Sequence, residues 1–268
     1  MIVRVRWNTH YRYSNPVELL HTELRVEPVD RPGTQRVIES RLLTKPPATI
    51  AAHEDVFGNR VAHLDFLEAV SDLEVGLSAD VETSGAPEPA STLSPLLARL
   101  YVQPTTRAPF DDAFNAFVPA VAGEGRLAFA EALNRHLHAE FVYEVGASDV
   151  GHTARDVARS GRGVCQDFAH LMLAILRARE IPARYVSGYL AAPGEAIEAN
   201  ASHAWVQVLE GDAWHGLDPA NGVPQDEHYV VAAVGRDYDD VPPLRGTYTG
   251  AASESWTTHL EVDSNSQQ

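Results

Sequence analysis

The chain has 268 residues, of which 21 are lysine or arginine and 37 are aspartate or glutamate, so its formal net charge is −16. Such an acidic surface repels the phosphates of nucleic acids and anionic lipids, which argues against a protein that binds nucleic acid or a membrane surface. The length suits one large domain or two modest ones. One cysteine, Cys165, excludes an intramolecular disulfide.

The N-terminal residues 1–7 alternate between apolar and polar side chains, as a strand does. They lack the apolar run of a signal peptide, and we find no stretch of sequence long enough to cross a bilayer. We therefore expect a soluble cytoplasmic protein.

The first part of the chain, to about residue 85, reads as β structure, because short alternating segments are separated by turn residues. The predicted strands cover residues 2–7, 23–29, 36–43, 60–66 and 73–81. They predict an antiparallel β-sandwich-like domain over residues 1–90. His53, Glu54 and Asp55 are neighbours here and are interpreted as a solvated turn. The prolines of the linker at residues 85–90 are expected neither to pair in a sheet nor to continue a helix.

The second part of the chain is predicted to be α+β. Helices are expected over residues 94–101, 111–122, 125–140, 153–160 and 165–179, with extended chain at 141–145. The helix at 165–179 has an apolar stripe and must end before Pro182, which lacks a backbone N–H. Three strands follow, at residues 183–190, 203–210 and 213–218. The last two flank Gly211-Asp212, a pair of residues compatible with a tight hairpin turn.

Cys165 lies where a glycine-containing loop becomes the helix at 165–179. Most lone cysteines are small buried apolar residues. A helix N-terminus, however, offers unpaired backbone N–H groups and a positive dipole end, which favour a thiolate over a thiol. The backbone N–H groups could also stabilise an oxyanion. The position of Cys165 is therefore that of a candidate nucleophile.

The hairpin register predicts that a histidine and an aspartate lie close together. If Gly211 and Asp212 form the turn, paired residue numbers sum to 423, which places Asp218 opposite Trp205. His203 is two residues from Trp205, so it shares the face of Asp218 at a diagonal distance of roughly 7–8 Å. This arrangement favours His203 as a base for Cys165, with Asp218 orienting the imidazole.

Several motifs resemble the bacterial transglutaminase-like superfamily, whose members are also described as cysteine proteases. The core motifs are Gly161-Arg-Gly-Val-Cys-Gln-Asp-Phe-Ala-His-Leu171, Gly188-Tyr-Leu190, Ala201-Ser-His-Ala-Trp-Val206, Gly216-Leu-Asp-Pro-Ala-Asn-Gly222 and Ala233-Val-Gly-Arg-Asp-Tyr-Asp-Asp-Val-Pro-Pro243. The N-terminal half, with Tyr11-Arg-Tyr13, Glu23-Leu-Arg-Val-Glu-Pro28 and Asp55-Val-Phe-Gly-Asn59, is similar to the β region that precedes this core in the bacterial subgroup.

The resemblance implies a papain-like α+β core, in which a nucleophile helix packs on an antiparallel sheet. The catalytic domain would span residues 91–268, with its core at about 125–250. By motif, a Cys-His-Asp triad falls on Cys165, His203 and Asp218. The implied chemistry is acyl transfer through a thioester on a peptide or protein substrate, without a cofactor. Animal members use calcium, but this sequence has no EF-hand-like calcium loop, so no metal is carried over.

Three further residues are weaker candidates for substrate or oxyanion contacts. Gln166 could support the oxyanion, although helix capping is the simpler role for the first helical turn. Trp205 could form the floor of a substrate slot, and Tyr143 could donate to an intermediate, although both are typical packing residues. His170 is expected to point away from Cys165 and to be structural.

Two other functions stay open at this point. The same cleft could belong to a catalytically weak module that binds a peptide or a partner. Acetyl transfer from coenzyme A uses the same triad order, although the acidic composition and the lack of an evident phosphate-binding motif argue against it. A metal site formed by His136, His138 and His152 is disfavoured, because the spacing of these histidines matches no known pattern of metal ligands. The triad alone does not distinguish amide hydrolysis from glutamine transamidation.

Overall fold

The structure, a computed structural model, describes residues 1–90, 93–120, 125–147, 151–191 and 202–265. The fold is mostly β with some helices. In chain order the strands are β1 (Ile2–Leu24), β2 (Gln35–Lys45), β3 (Thr49–Glu54), β4 (Arg60–Phe66), β5 (Val70–Thr83), β6 (Glu88–Pro89), β7 (Val142–Tyr143), β8 (Arg162–Gly163), β9 (Ala183–Leu190), β10 (His203–Glu210), β11 (Ala213–Asp218), β12 (Val223–Pro224), β13 (Tyr229–Gly235), β14 (Leu244–Thr249) and β15 (Glu254–Asn265).

Four α-helices and two 3₁₀ helices lie in the described part of the chain. The α-helices are α1 (Pro95–Leu100), α2 (Arg126–Glu140), α3 (Ala154–Ser160) and α4 (Cys165–Arg177), and 3₁₀ helices cover Asp112–Phe117 and Tyr238–Asp240. The helix predicted over residues 111–122 is therefore wrong in type and length, and its residues 121–122 lie outside the described part. Pro119, which has no backbone N–H, follows the short 3₁₀ turn. In the part of the chain that the structure describes, no helix is long and apolar enough to span a bilayer.

The first sheet is organised around β1, which runs without a break for 23 residues. Its first half pairs with β5 and β15, and its second half pairs with β4 and β14, so the sheet curls along this strand. Strands β2 and β3 complete it at the two sides, giving seven connected antiparallel strands. Antiparallel β structure is thus confirmed for this region, whereas the sandwich-like layering remains a prediction.

Two expectations for the first sheet are corrected. The strand predicted at residues 23–29 is only the end of β1, because the chain leaves the sheet after Leu24. Strand β3 was not predicted, and it contains His53 and Glu54, two residues of the expected solvated turn. All six residues of β3 are exposed at the sheet side, so this strand lacks the apolar alternation by which strands are recognised.

The second sheet has the order β12-β11-β10-β9-β13, with the short β6 added to β11. This addition corrects the expectation for the proline-rich linker, because Pro89 lies opposite Ala213 in the ladder. A proline is tolerated there because β6 is an edge strand that needs no further N–H donor. The linker therefore becomes part of the second sheet.

Helix α4 packs against one face of the second sheet and forms the centre of a hydrophobic core with α2 and α3. Tyr189, Val230 and Ala232 of the second sheet belong to the core of the first sheet. A third buried cluster, formed by Val186, Trp205, Tyr229, Val231 and Val234, lies within the second sheet. The second sheet thus contributes to all three hydrophobic clusters of the described residues.

The C-terminal strands return to the first sheet. Strand β14 pairs with the end of β1, and β15 pairs with its beginning over residues 254–265. The expected division placed everything after residue 91 in the catalytic region, whereas strand pairing joins residues 244–265 to the N-terminal sheet. Local sequence patterns specify that a segment is a strand, but they do not identify its distant partner.

Candidate active site

The first turn of α4 is held by its own capping contact. Asp167 is fully buried, and its carboxylate accepts a hydrogen bond from the Val164 backbone N–H at 2.8 Å. Gly163 makes room for this contact, since a Cβ on Gly163 would lie 2.7 Å from Asp167 side-chain atoms. These contacts fix the position of Cys165, the first residue of α4, which is only partly buried.

The predicted hairpin has the predicted register. Glu210 pairs with Ala213, and Val206 pairs with Leu217, so paired numbers sum to 423. His203 Nε2 and Asp218 Oδ2 lie 2.6 Å apart, within hydrogen-bond distance. The structure therefore brings together the histidine and the aspartate that sequence reasoning selected.

Asp218 is fully buried, and its carboxylate is surrounded by donors. Oδ1 accepts hydrogen bonds from the backbone N–H groups of Ala220 and Asn221 at 3.0 and 3.2 Å. Oδ2 accepts from the Asn221 side chain at 2.6 Å and from the Tyr229 hydroxyl at 2.8 Å, besides its contact with His203. Burial alone raises the pKa of Asp218, but the His203 charge and these hydrogen bonds lower it overall. Asp218 is therefore a buried carboxylate held in its charged form.

His203 joins this carboxylate to Cys165. Besides the contact with Asp218, its imidazole interacts with the side chain of Cys165. Burial alone would lower the pKa of His203, but the Asp218 charge, the hydrogen bond to Asp218 and the interaction with Cys165 raise it from 6.5 to about 10. His203 is therefore protonated at neutral pH and carries its positive charge beside the Cys165 sulfur.

The His203 ring is also fixed by packing. It stacks on Trp205, with ring centroids 6.0 Å apart and planes inclined by 23°. The Trp205 Nε1–H donates to Gln225 Oε1 at 2.9 Å. Gly188, which lies opposite His203 in the β9–β10 ladder, allows this packing, because a Cβ there would come within 2.6 Å of the Trp205 ring. The aromatic stack thus restrains the imidazole from the side.

The weaker candidates occupy different places. Trp205 is 0% exposed, so it supports His203 from within the core and offers no surface as the floor of a substrate slot. Gln166 is partly buried in the first turn of α4. Tyr143 is 37% exposed, and its ring lies 6.3 Å from that of Phe168 on α4. Gln166 and Tyr143 are thus partly open to solvent on or beside α4.

His170 and His138 have structural partners. His170 is fully buried, stacks on Tyr185 at 5.2 Å and accepts a hydrogen bond from the Tyr238 backbone N–H. Burial, with the charges of Arg107 and Arg177, lowers its pKa to about 3. His138 Nδ1 lies 2.9 Å from the Ala220 carbonyl oxygen, next to the turn that follows Asp218.

Sequence reasoning missed Asn221 and Tyr229 as partners of Asp218. Asn221 follows the aspartate by three residues, a spacing at which a tight turn returns a side chain to its start. Tyr229 comes from β13, which is separated from β11 in the sheet by β9 and β10. Only Asn221 had a local signal in the sequence.

Comparisons with known proteins agree with this architecture. Residues 3–82 match the bacterial transglutaminase-like N-terminal region, and residues 118–219 match the core of the transglutaminase-like superfamily. A protein of Mycobacterium leprae is 34% identical over 277 residues, which cover 97% of this chain and 98% of the relative. The chain belongs to the transglutaminase-like superfamily. Cys165, His203 and Asp218 all fall within the matched core.

Two further relatives of this transglutaminase-like protein extend the comparison. A Mycobacterium tuberculosis protein is 32% identical over 292 residues, covering 97% of this chain and 91% of the relative. A solved structure from Cytophaga hutchinsonii, named a "Putative Cysteine Protease", has a TM-score of 0.80 at 23% identity. That comparison covers 100% of this chain and 92% of the other, so the two proteins share one overall fold.

Proposed function

We propose that this protein is a cysteine-dependent acyl-transfer enzyme in which Cys165 is the nucleophile, His203 the acid and base, and Asp218 the orienting carboxylate. The observation that carries the proposal is the position of His203. Its imidazole lies 2.6 Å from the Asp218 carboxylate, and its interaction with Cys165 helps to raise its pKa. One side chain thus connects a thiol at a helix start to a buried, charged carboxylate.

The electrostatics of the site support an activated thiol. His203 has a raised pKa of about 10, so at neutral pH it places a positive charge beside the sulfur. The N-terminus of α4 adds backbone N–H groups and a positive dipole end at Cys165. Negative charge on the sulfur is favoured by both, and a thiolate is the nucleophilic form of cysteine.

The reaction follows from these groups. The Cys165 sulfur attacks an amide carbonyl carbon, and the resulting oxyanion is stabilised by backbone N–H groups at the start of α4. The His203 imidazolium gives its proton to the leaving nitrogen as the C–N bond breaks, which leaves a thioester and a neutral imidazole. Water or an amine then attacks the thioester while His203 takes its proton. The product acid or new amide leaves, and the Cys165–His203 pair is restored.

Asp218 keeps the imidazole in the productive orientation. Its five hydrogen-bond contacts fix the carboxylate, so the ring nitrogen that faces Asp218 is set, and the other ring nitrogen is available to the sulfur. The Trp205 stack prevents the ring from turning away. Both restraints reduce the reorganisation needed at each proton transfer.

The substrate class we propose is an amide of a peptide or protein. Gln166 and Tyr143, which are both partly exposed on or beside α4, are our candidates for substrate contact. Whether water or an amine reaches the thioester depends on the shape and dryness of the cleft, not on the triad.

A peptide library tests the proposal. Wild-type protein and the Cys165→Ser variant are incubated with glutamine-containing peptides and a labelled amine, while ammonia release, label uptake and peptide cleavage are followed. We expect at least one of these signals in the wild type and none in the variant. Equal signals in both proteins would refute the proposal. A folded wild type that retains peptide but gives no signal would favour the binding-module alternative.

A further inference from the structure

The curled part of the first sheet carries a group of histidines on its outer face, separate from the proposed catalytic residues. Leu20, Thr22 and Leu24 of β1 point into the core and are buried, so His21 and Glu23, which alternate with them, point outward. In the ladder with β4, His21 pairs with Asp65, and Glu23 pairs with His63. His53 of the neighbouring β3 lies one diagonal step from His63.

These side chains are close enough to share one ion. One ligand atom from each of His21, Glu23 and His63 lies within 4.8 Å of the other two. The His21 and His63 rings stack at 5.4 Å, and the His63 and His53 rings stack at 5.0 Å. All three members of the triplet are partly buried, so the cluster is neither sealed in the core nor fully solvated.

Both histidines of the triplet have a second partner that orients the ring. His21 Nδ1 lies 2.8 Å from the Asp65 carboxylate, and His63 Nε2 lies 3.1 Å from His53 Nδ1. Metal-binding histidines commonly donate one ring N–H to such a partner, while the other ring nitrogen binds the ion. Each ring here can therefore be held in one tautomer with its second nitrogen available as a ligand.

The carboxylate of the triplet can also serve as a ligand. Glu23 Oε2 accepts a hydrogen bond from Arg25 Nη1 at 3.1 Å, which orients the group while leaving a second oxygen for an ion. The packing would also arise without a metal, as a row of neutral imidazoles joined by hydrogen bonds. That arrangement accounts for the His53–His63 contact, and the strand register places Glu23 opposite His63. The observation that points to an ion is the convergence of one ligand atom from each of the three side chains.

We propose that His21, Glu23 and His63 form a binding site for a divalent transition-metal ion of the zinc type, with Asp65 and His53 as orienting partners. Two imidazoles and one carboxylate are a ligand set that zinc accepts, with a fourth position left for water. Bond lengths of about 2.0–2.2 Å in a tetrahedral site place ligand atoms about 3.4 Å apart. Side chains that are partly exposed can close the remaining distance by rotation.

The site would connect strands within the curled sheet. His21 and Glu23 come from β1 and His63 from β4, while the orienting His53 comes from β3, whose residues are all exposed. An ion that binds only the folded arrangement stabilises it by mass action. Metal binding is therefore expected to raise the thermal stability of the chain, independently of any activity at Cys165.

Calorimetric titration with ZnCl₂ tests the proposal on the untagged 268-residue chain. All variants carry Cys165→Ala, because the cysteine, His203 and Asp218 could themselves bind zinc. We expect one zinc ion per chain. Adding His63→Ala or His21→Ala is expected to weaken affinity at least ~10-fold, and Asp65→Asn by ~10-fold or more through lost orientation of His21. Glu23→Gln preserves the shape of the side chain and is expected to weaken zinc binding as well.

The matched control is His228→Ala. His228 belongs, with Asp226 and Glu227, to the other cluster of close ligand atoms in the described residues. This control should bind zinc like its parent and gain the same rise in melting temperature, whereas the His63→Ala protein should gain a clearly smaller rise at the same zinc concentration. The proposal is overturned if there is no saturable binding, if His228→Ala removes it, or if His21→Ala and His63→Ala leave it intact. Far-UV circular dichroism of each variant verifies its fold.

Discussion

Two histidines of the second half of the chain, the fully buried His170 and the mostly buried His203, behave in opposite ways. Burial alone lowers the pKa of both imidazoles, yet His203 has a pKa of about 10 and His170 a pKa of about 3. The region around His203 supplies the Asp218 carboxylate, whereas Arg107 and Arg177 lie near His170. The contrast teaches that burial removes the proton from an imidazole unless a neighbouring carboxylate outweighs it, as Asp218 does at His203.

The two regions therefore have different consequences. Around His203 the folded protein keeps a proton at neutral pH, next to the sulfur of Cys165. Around His170 it excludes one, and the neutral ring packs against Tyr185 as a core aromatic residue would. His170 is neutral and His203 is protonated because of the groups that surround them. Changing those groups should therefore shift the pKa of each ring in a definite direction.

The largest effect is expected from removing the charge beside His203. Asp218→Asn keeps the size of the side chain but removes the carboxylate, so the pKa of His203 should fall and turnover should drop about 10²–10⁴-fold. The measurement is turnover with any peptide amide found in the library screen. Asp226→Asn is the control, because Asp226 also pairs with a histidine, at 3.0 Å, but is exposed. Equal turnover in the two variants would contradict the role of Asp218.

A smaller effect is expected from one donor to the same carboxylate. Tyr229→Phe removes the 2.8 Å hydrogen bond to Asp218 and should cost about 1.5–3 kcal/mol of unfolding free energy, because the acceptor is charged. Tyr189→Phe removes a hydrogen bond of equal length to the Val26 carbonyl and should cost about 0.5–1.5 kcal/mol. Urea unfolding of both variants measures the difference. A larger loss at Tyr189 would reverse the expected ranking.

The pH dependence of stability should have opposite signs at the two histidines. The folded pKa of His203 exceeds its unfolded value of 6.5, so its stabilising effect is complete below pH 6.5 and disappears as the pH rises towards about 10. The stability gap between wild type and His203→Gln should therefore narrow over that range. The folded pKa of His170 lies below 6.5, so wild type should lose stability relative to His170→Gln as the pH falls from 6.5 towards about 3. Urea unfolding at several pH values provides both slopes, and slopes of the same sign would contradict the comparison.

The smallest expected effect concerns His170, whose NMR chemical shift should stay constant over a wide pH range. Because His170 stays neutral down to about pH 3, the NMR resonance of its C2 proton should keep its shift between about pH 5 and about pH 8. The His170→Gln variant identifies that resonance by its loss. A shift that follows an ordinary histidine titration would show that the folded ring takes up a proton readily.

The sequence allowed the hairpin region to be predicted better than any other part. Residues 203–210 and 213–218 are strands with the expected bounds, because apolar alternation and the Gly211-Asp212 turn are local signals. The register then brought His203 and Asp218 together by arithmetic alone. Tyr229 could not be found in this way, because its contact with Asp218 depends on how β13 is placed in the sheet.

The first sheet was less predictable for the same reason. Strands β1, β2, β4 and β5 were predicted at least in part, whereas β3, β14 and β15 were not predicted. Strand β3 lacks apolar residues on an inner face, and β14 and β15 join the C-terminal part of the chain to β1. The cluster of histidines on the outer face could not be predicted from the sequence either. His21, His53 and His63 are far apart in sequence, and only the register of three strands puts them on one face.

The alkylation rate of Cys165 tests the central claim most directly. Iodoacetamide labelling of this single cysteine is followed by mass spectrometry across pH, with Cys165→Ala as the blank and His203→Ala as the comparison. We predict that near neutral pH the wild-type thiol reacts faster than free cysteine and that His203→Ala slows the reaction. A wild-type rate no faster than that of free cysteine, unchanged by the loss of His203, would contradict an activated thiol.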